Sequence, residues 1–400
     1  MLRIHVNKAS PGMRLALPVQ NPKAPSQALL KMGYELNDSI LQRLSEYGVR
    51  VVWVRYPSLD FLARFLDREA AQRQQNLVHQ VSKSFEDLQL RATARLPYEN
   101  YLQSLQDLID HLAKNPAAGI FLGDLADTSN DLLRHSASVA YLTLLMGMKL
   151  ESYLVRERRH VPPGRAKEVV NLGLGAMLHD AGILQLPDEV RERQAEAPDE
   201  SDEAWQQHPA LGFELLRGRI EPTAATVVLN HHQHDDGSGY AGGDFPTLSG
   251  KSIHVFARIT AVADQFDNLT HPPGLPTQPT VWALGAMLSD PLRKRFDPEV
   301  LKALVAVVPP YPPGSVVELS DGRHAVCVDH NAHAPCRPKV QILLDPAQLE
   351  GEDVDMGEEI DLAEHNRGLY VVEHDGHDVR DMNFALPEYL QELTGQFAHV

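Results

Sequence analysis

Apolar and polar residues follow three different patterns along the chain. Residues 1–6 alternate in the manner of a β-strand, and between about 127 and 310 apolar residues recur every three or four positions. After residue 314 the apolar residues again form short strand-like runs. A period of two is typical of strands and a period near 3.6 of helices. The patterns therefore predict a mainly α protein, in which a helical bundle is flanked by a small N-terminal α/β unit and a small β-rich C-terminal unit.

The N-terminal unit is predicted to contain one helix between two strands. Asn37 or Asp38 caps a helix over residues 39–47, and Gly48 ends it. The apolar run at 49–54 then predicts the second strand. No catalytic pattern is visible in this unit, so a packing or regulatory role is expected.

A charged helical region follows at residues 58–91, and a second helix extends from Pro97 to about Lys114. Apolar residues of the first helix recur at three-four-three spacing: Val78, Val81, Phe85 and Leu88. Such a stripe either packs on its own domain or forms a homodimer seam. The pattern alone leaves both interpretations open.

The central region predicts a succession of helices joined by polar segments. These helices are expected at residues 129–150, 166–179, 223–232 and 253–269, with another that begins near 201 and presents His208. A basic insertion is expected at 156–165, and the acidic stretch 188–203 is expected to form a loop or lid.

The region after the proline-rich stretch 309–314 predicts a β-hairpin. Its strands are residues 316–319 and 325–328, with Asp321-Gly322 at the turn. Further strands are expected at 340–344 and 369–372, and a final helix at 387–397. The predicted organisation is a regulatory domain at 1–57, a helical connector at 58–115, the main helical domain at 116–310 and the C-terminal extension at 311–400.

Composition narrows the function classes. The formal net charge of −17 repels a nucleic-acid polymer, although it permits a small anionic ligand held by metal ions. Two cysteines in 400 residues do not support a disulfide framework. No run of eighteen apolar residues is present, and no signal-peptide core precedes the first strand. A cytoplasmic protein without a membrane partner is expected.

The candidate chemistry begins in residues 230–240, where three histidines, two aspartates and a tyrosine occur together. Such groups would be costly in a core without partners, so the stretch predicts a solvated loop or a metal site. Further polar residues lie on otherwise apolar helices, and the full set is His135, His179, Asp180, His208, His231, His232 and Asp264. Each alone could be an ordinary hydrogen-bonded residue. Together they can hold two metal ions, with Asp180 able to bridge them.

The order of these motifs resembles the HD-GYP family of cyclic di-GMP phosphodiesterases, within the HD phosphohydrolases. The resemblance covers about Leu132 to Val308 and is carried by the motifs around His135, His179-Asp180, His208, His231-His232 with 236–240, and 257–264. The N-terminal unit is similar to a small domain often found ahead of HD-GYP domains. The resemblance therefore implies an HD-type helical bundle and a hydrolase of cyclic di-GMP that yields linear pGpG or, on further cleavage, GMP.

The resemblance also implies the roles of individual residues. The seven side chains named above become metal ligands, with His179 and Asp180 central to catalysis. Asp131, one turn before His135, takes the place of a ligand for a third ion or is a helix-surface aspartate. Gly239, Tyr240 and Arg258 are the candidate substrate contacts in this sequence. Two or three divalent ions are implied, with Fe or Mn favoured and Zn or Ni also compatible, and the chemistry is hydrolysis by water without a protein nucleophile.

The chain departs from the family pattern where the substrate is recognised. Ile183 replaces a lysine that would contact a phosphate, Gln233 replaces a glutamate, and Ala241 replaces the proline of the Gly-Tyr-Pro motif. The segment 271–274 lacks the usual arginine. Arg258 and the basic run 293–295 either compensate for these losses or form a solvated helix end.

Alternatives follow from these departures. The chain could bind cyclic di-GMP as a sensor with little turnover, or hydrolyse another nucleotide, and it could act with a homodimer or signalling-protein partner. A separate zinc site is conceivable in the C-terminal extension, where four soft ligands recur every three residues: Cys327, His330, His333 and Cys336. The alternative there is a hairpin loop with an inward-facing cysteine.

Overall fold

The helices of the central region form one bundle, while the strands collect at the two ends of the chain. The computed structural model describes residues 2–21, 24–49, 51–65, 68–90, 96–115, 130–273, 275–350, 353–364, 368–388 and 390. Its α-helices are α1 (Asp38–Glu46), α2 (Arg68–Leu90), α3 (Tyr98–Lys114), α4 (Asp131–Lys149), α5 (Glu151–Glu157), α6 (Pro163–Ala166), α7 (Val170–Met177), α8 (Asp188–Glu196), α9 (His208–Leu216), α10 (Pro222–Asn230), α11 (Val255–Thr270), α12 (Thr280–Met287) and α13 (Pro298–Val307). Its strands are β1 (Leu2–His5), β2 (Val19–Asn21), β3 (Ala24–Leu30), β4 (Val51–Val54), β5 (Val316–Leu319), β6 (His324–Asp329), β7 (Lys339–Leu343), β8 (Met356–Asp361), β9 (Val371–His374) and β10 (His377–Asp378).

Helix α4 lies at the centre of the bundle. Most of its residues are buried, and it packs against α2, α7, α11 and α13. Helix α7 lies between α4 and α10, and Gly175 makes that second contact possible: a Cβ atom there would lie 2.7 Å from Cβ of Val227 and 2.9 Å from the carbonyl oxygen of Ala224. Close helix packing around α4 and α7 places the ends of several helices near one another.

The apolar stripe of α2 packs inside its own chain. Val78, Val81, Phe85 and Leu88 are all buried, and α2 contacts α3 and α4. Val78 packs against Ala137 of α4. The alternative interpretation of this stripe as a homodimer seam is therefore wrong, because the face is already covered.

The C-terminal strands form one antiparallel sheet of six strands in the order β10-β9-β5-β6-β7-β8. The predicted hairpin is confirmed, with Val316 opposite Val326 and Glu318 opposite His324. Its turn requires a positive φ of 85° at Gly322, which glycine adopts without steric cost.

The two ends of the chain share a hydrophobic core, which the sequence did not predict. Apolar residues of the first 65 positions pack with Val326, Val328 and Leu343 of the C-terminal sheet. The hydroxyl of Tyr56 donates to the carbonyl oxygen of Leu349 at 2.5 Å. The sequence had suggested two separate units, because no periodicity within either one reports contact across so many intervening residues.

Several helices begin at residues other than those predicted from the sequence. The helix expected at 166–179 begins only at Val170, and the acidic stretch expected as a loop or lid contains α8. The helix that presents His208 begins at that residue, after a short 3-10 helix at Trp205–Gln207. Residues 389 and 391–397 of the predicted final helix lie outside the described residues.

Helix length and hydropathy also bear on membrane association. Within the described ranges, no individual helix is both long and apolar enough for a membrane span. One bent pair, Pro163–Gln185 with Asp188–Glu196, meets the length and composition criteria across an angle of 115°.

Candidate metal centre

The predicted ligands come together at the ends and inner faces of five helices. His135 lies on α4, His179 and Asp180 follow α7, and His208 begins α9. His231 and His232 follow α10, and Asp264 lies on α11. Six of these side chains are buried and His232 is half-buried. The structure thus gathers seven residues that are up to 129 positions apart (135 to 264) in one cluster.

The carboxylate of Asp180 divides this cluster into two groups of potential ligands. Its Oδ2 atom lies 3.3 Å from Nε2 of His179 and 3.6 Å from Nε2 of His135. Its Oδ1 atom lies 3.4 Å from Nε2 of His208 and 3.5 Å from Nε2 of His231. His232 completes the second group. One carboxylate therefore presents an oxygen to each group, as a bridging ligand must.

Asp264 adds a second carboxylate to the first group. Its Oδ1 atom is 3.1 Å from Nε2 of His135 and 3.9 Å from Nε2 of His179. Asn268, one turn later on α11, donates to the same oxygen at 2.8 Å. The amide of Asn268 therefore orients the carboxylate toward the histidines.

Most of the histidines have their outward-facing nitrogen fixed. In three of them Nδ1–H donates to the carbonyl oxygen three residues earlier: His179 to Ala176 at 2.6 Å, His208 to Trp205 at 2.8 Å and His231 to Val228 at 2.8 Å. In these tautomers Nε2 carries a lone pair that points into the cluster, which is the arrangement that a metal ligand needs.

The pKa shifts differ between the two groups of histidines. Burial lowers the pKa of His208 to about 4, and burial together with the neighbouring histidines lowers the pKa of His232 well below its usual value. Although burial alone would raise the pKa of Asp180, His179 and the other nearby histidines hold it well below its usual range. Burial would also lower the pKa values of His135 and His179, but Asp264 and Asp267 raise the pKa of His135 well above its usual value, and Asp180 raises that of His179. His208 and His232 therefore stay neutral beside the ionised Asp180, and imidazole with carboxylate is a donor set that fits divalent transition-metal ions.

Two glycines set the spacing around the cluster. A Cβ atom on Gly182 would overlap the carbonyl oxygen of His208 and lie 2.5 Å from the backbone nitrogen of Gly212. A Cβ atom on Gly239 would overlap the backbone of His232 and lie 2.7 Å from Cα of Gln233. The first contact joins the segment after Asp180 to α9, and the second folds the loop after α10 onto its own ligands.

Tyr240 covers one side of the cluster. Its ring stacks on His232 with a centroid distance of 4.8 Å and an interplanar angle of 18°. Its hydroxyl is buried and has no hydrogen-bond partner within the part of the chain that the structure describes. Tyr240 is therefore adjacent to the ligands and retains a free donor.

The expectation that Arg258 contacts substrate is corrected by its surroundings. The side chain is buried, and its guanidinium pairs with Glu157 and Asp297 and donates to the hydroxyl of Tyr153 at 2.7 Å. These partners join α5, α11 and the start of α13. Arg258 thus neutralises buried carboxylates, and its sequence position on α11 did not reveal this role.

The basic run 293–295 likewise belongs to the surface. Arg293 and Lys294 pair with Asp290 at 2.9 and 3.0 Å, and both are at least partly exposed. The carbonyl oxygen of Arg295 accepts from the backbone nitrogen of Asp235 at 2.7 Å. The solvated alternative is therefore the one that the geometry supports, with a backbone contact that holds the loop after α10.

Asp131 does not join the cluster, whereas Asp267 does. Asp131 is exposed in the first turn of α4 and lies outside both groups of potential ligands in the described residues. Asp267 is buried, and its Oδ2 atom accepts from Nδ1 of His135 at 2.6 Å. Asp267 was not predicted, although its position three residues after Asp264 places both carboxylates on one face of α11.

The four soft ligands of the C-terminal extension do not form a metal site in the described residues. Cys327 is fully buried in β6, and Sγ of Cys336 accepts from the backbone nitrogen of Phe384 at 3.3 Å. Among the described residues, the only groups that could hold a metal ion are the two around Asp180. The prediction of an inward-facing cysteine in this hairpin is confirmed.

The departures from the family motif have specific surroundings. Ile183 is half-buried in a 3-10 helix at Ala181–Gln185, directly after Asp180. Gln233 is buried, and its amide donates to the carbonyl oxygen of Pro246 at 3.1 Å and accepts from the backbone nitrogen of Leu248 at 2.9 Å. A carboxylate could not make the first of these bonds, so glutamine suits this loop.

Sequence comparisons place most of the candidate ligands within a known domain. An HD domain matches residues 157–300, which includes every ligand except His135, and a KOW domain associated with HD domains matches residues 316–376. A cyclic di-GMP phosphodiesterase of Pseudomonas aeruginosa is 26% identical over 59% of this chain and 54% of its own length. The cyclic di-GMP phosphodiesterase response regulator RpfG of Xanthomonas campestris is 35% identical over 35% of this chain and 36% of its own.

A third relative has a different named substrate. The 3'3'-cGAMP-specific phosphodiesterase 2 of Vibrio cholerae is 34% identical over 23% of this chain and 17% of its own length. The chain thus spans about half the length of the first relative, and less of the other two.

Proposed function

We propose that this chain, which belongs to the HD-GYP family of HD-domain proteins, is a metal-dependent phosphodiesterase that hydrolyses cyclic di-GMP to linear pGpG and on to GMP. The observation that carries this proposal is the position of Asp180, whose two oxygens face two separate groups of histidines. A shared carboxylate between two ligand groups is the arrangement of two-metal phosphodiester hydrolysis.

The residues divide between two ions. His135, His179, Asp180 and Asp264 would hold one ion, and Asp180 with His208, His231 and His232 would hold the other. When bound, two such ions make water nucleophilic near neutral pH and neutralise charge on the phosphoryl oxygens. The protein's own contribution is to point Nε2 of His179, His208 and His231 into the cluster and to orient the Asp264 carboxylate through Asn268. Iron or manganese suits this mixture of ligands, and zinc or nickel is compatible with it.

Substrate contacts are proposed at Tyr240 and Gly239. The Tyr240 hydroxyl lies buried beside His232 without a partner in the described residues, so it can donate to a phosphoryl oxygen. Gly239 brings that tyrosine close by packing on the backbone of its own loop. Asp131 remains a candidate for a third ion only if the exposed first turn of α4 moves.

A second candidate function follows from the missing cations. Ile183 cannot donate to a phosphate, and Arg258 is occupied by Glu157 and Asp297. Weak phosphate recognition favours either a cyclic di-GMP sensor with slow turnover or a hydrolase for another cyclic dinucleotide. The relative named for 3'3'-cGAMP makes that nucleotide the first alternative to test.

The experiment is a turnover assay on protein with a defined metal content. Protein purified without chelators or air is reconstituted with Fe(II), Mn(II), Zn(II) or Ni(II) separately and supplied with cyclic di-GMP or 3'3'-cGAMP. We expect hydrolysis of cyclic di-GMP with Fe or Mn and its loss in His208→Asn, while the exposed control His160→Asn retains activity.

Each other outcome selects a different conclusion. Cyclic di-GMP that binds to protein with two ions but is not cleaved would identify a sensor. Cleavage of 3'3'-cGAMP alone would identify the other hydrolase. A protein that binds neither metal ions nor nucleotides would contradict the proposal.

A further inference from the structure

The carboxylate of Asp267 is held by two consecutive residues of α4. Nδ1–H of His135 donates to its Oδ2 atom at 2.6 Å. Nη1 of Arg134 lies 3.2 Å from Oδ1 and 3.3 Å from Oδ2 of the same carboxylate. The Asp267 side chain is 2% exposed and the Arg134 side chain 16% exposed, so solvent screens this pair little.

His135 differs from the other histidines of the centre in how it is oriented. His179, His208 and His231 rely on carbonyl oxygens of their own local backbone, which helix geometry fixes. His135 instead depends on a side chain from another helix, and a free carboxylate can rotate about its χ2 bond. The orientation of His135 is therefore only as well defined as that of Asp267.

We propose that Arg134 is a positioning residue of the metal centre, which fixes the Asp267 carboxylate and thereby the imidazole of His135. With both contacts, the carboxylate is restrained from two directions by one turn of α4. Without Arg134 the carboxylate keeps His135 and His271, the latter at 3.4 Å, but loses its contact with the cation. Partners that orient a metal-ligating histidine typically change metal affinity by about 10- to 100-fold.

The inference rests on the metal centre of the proposed function but not on the identity of the nucleotide. Because only the first ligand group contains His135, loss of Arg134 should weaken binding of the ion in that group and leave binding of the other ion unchanged. A purely structural role would instead affect both ions through a general loss of stability. The difference between the two ions is thus the informative measurement.

The experiment measures binding of Mn(II) alone to the metal-free full chain, with free Mn(II) followed by electron paramagnetic resonance and thermal unfolding measured in parallel. Arg134→Gln is compared with Arg134→Lys and Asp267→Asn. The matched control is Arg156→Gln, which removes another arginine–carboxylate contact between helices, 3.4 Å from Glu299. We expect Arg134→Gln to lower the affinity for one Mn(II) ion by about tenfold and to leave the affinity for the second ion within about twofold of the wild type.

Lysine restores a cation, so Arg134→Lys should recover most of the lost affinity. Asp267→Asn should weaken the same ion by about 100-fold, because an amide can donate to Nδ1 and select the tautomer that leaves Nε2 protonated. Arg156→Gln should match the wild type.

Two results would overturn the proposal. The first is Mn(II) binding by Arg134→Gln that equals the wild type for both ions. The second is an equal loss of both ions together with a lowered melting temperature that lysine does not restore. Neither result depends on turnover, so a chain that binds Mn(II) as expected but cleaves no cyclic di-GMP would contradict only the proposed function.

Discussion

Gly182 packs directly against the carbonyl oxygen of His208, with no space between them for a side chain. Gly182 follows Asp180 by two residues, and His208 belongs to the second group of potential ligands. The separation of these two ligands is therefore set by backbone packing, since the 3-10 helix at Ala181–Gln185 lies against α9. Rigid backbone contacts can hold metal ligands in place even before an ion binds.

This contact predicts the effect of Gly182→Ala. The added methyl group would force the 3-10 helix and α9 apart, at a cost of about 1–3 kcal/mol in the free energy of unfolding. We expect a lower melting temperature and a reduced metal content, measured by calorimetry and elemental analysis. Gly164→Ala is the control, because a Cβ atom there meets nothing within 4 Å. Equal metal content in both variants would contradict the prediction.

Asp180 and Asp131 are expected to behave differently. Because Asp180 faces both ligand groups, Asp180→Ala should lower the content of both ions, whereas Asp131→Ala should leave the metal count unchanged. Elemental analysis of reconstituted protein checks both. A reduced count in Asp131→Ala with an intact fold would restore the third-ion interpretation, and full occupancy in Asp180→Ala would refute the bridge.

Arg258 is expected to matter for stability and not for substrate affinity. Its removal leaves Glu157 and Asp297 buried without their guanidinium, and loss of one partner from a buried ion pair costs about 3–5 kcal/mol. Arg258→Gln should lower the free energy of unfolding in urea by this amount. Arg217→Gln removes an exposed pair with Glu214 and should cost less than about 1 kcal/mol. A stable Arg258→Gln protein with a raised KM would instead place Arg258 in the substrate site.

The protein is expected to lose stability in mild acid because the folded state keeps His254 unprotonated. Its Nδ1 accepts from the backbone nitrogen of Phe256 at 3.2 Å at the start of α11, and burial with nearby Arg158 and Arg258 lowers its pKa to about 4. An unfolded histidine titrates near about 6.5. Between these values the unfolded state binds a proton that the folded state excludes, so stability falls as pH decreases through this window.

The corresponding test replaces the titrating cap. His254→Asn keeps a capping oxygen without a proton equilibrium in this range. We expect its melting temperature to fall less between pH 7 and pH 5 than that of the wild type, whereas the exposed control His377→Asn follows the wild type. Identical pH dependence in all three proteins would show that His254 does not contribute.

The candidate ligands could be selected from the sequence because each one interrupts an apolar helix pattern or forms a motif. His135 and Asp264 stand out among apolar neighbours, and the paired His231 and His232 follow an apolar helix. The hairpin at β5 and β6 was predictable for a similar reason, since alternation and an Asp-Gly turn are local signals. Local patterns thus identified the bundle, the sheet and most of the centre.

The remaining features depend on partners that are distant in sequence. Whether Arg258 meets a phosphate or Glu157 is decided by how α5 packs, and nothing near Arg258 in the sequence reports this. The same applies to Asp267, whose role requires Arg134 and His135 on another helix. The shared core of the two chain ends is the largest example, since it joins Tyr56 to Leu349.

The last prediction concerns Ile183, which is half-buried on the 3-10 helix three residues after Asp180. Its backbone nitrogen donates to the carbonyl oxygen of Asp180 at 3.0 Å, so its position is fixed relative to the bridging carboxylate. A lysine there offers a flexible point charge to a phosphate, and a charge-assisted hydrogen bond contributes about 1.5–3 kcal/mol. We therefore expect Ile183→Lys to bind cyclic di-GMP about 10- to 100-fold more tightly in calorimetry.

The control for this variant is Gln185→Lys, which adds the same charge two residues later on the same half-buried 3-10 helix. If the added charge attracts the anionic nucleotide only at long range, the affinity for cyclic di-GMP rises equally in both variants. A specific contact with a phosphate instead raises the affinity more at position 183. A rise in kcat as well as affinity would mean that the contact strengthens toward the transition state. Unchanged or weaker binding by a well-folded Ile183→Lys protein would mean that the phosphate lies elsewhere, and that isoleucine here serves packing against the neighbouring helices.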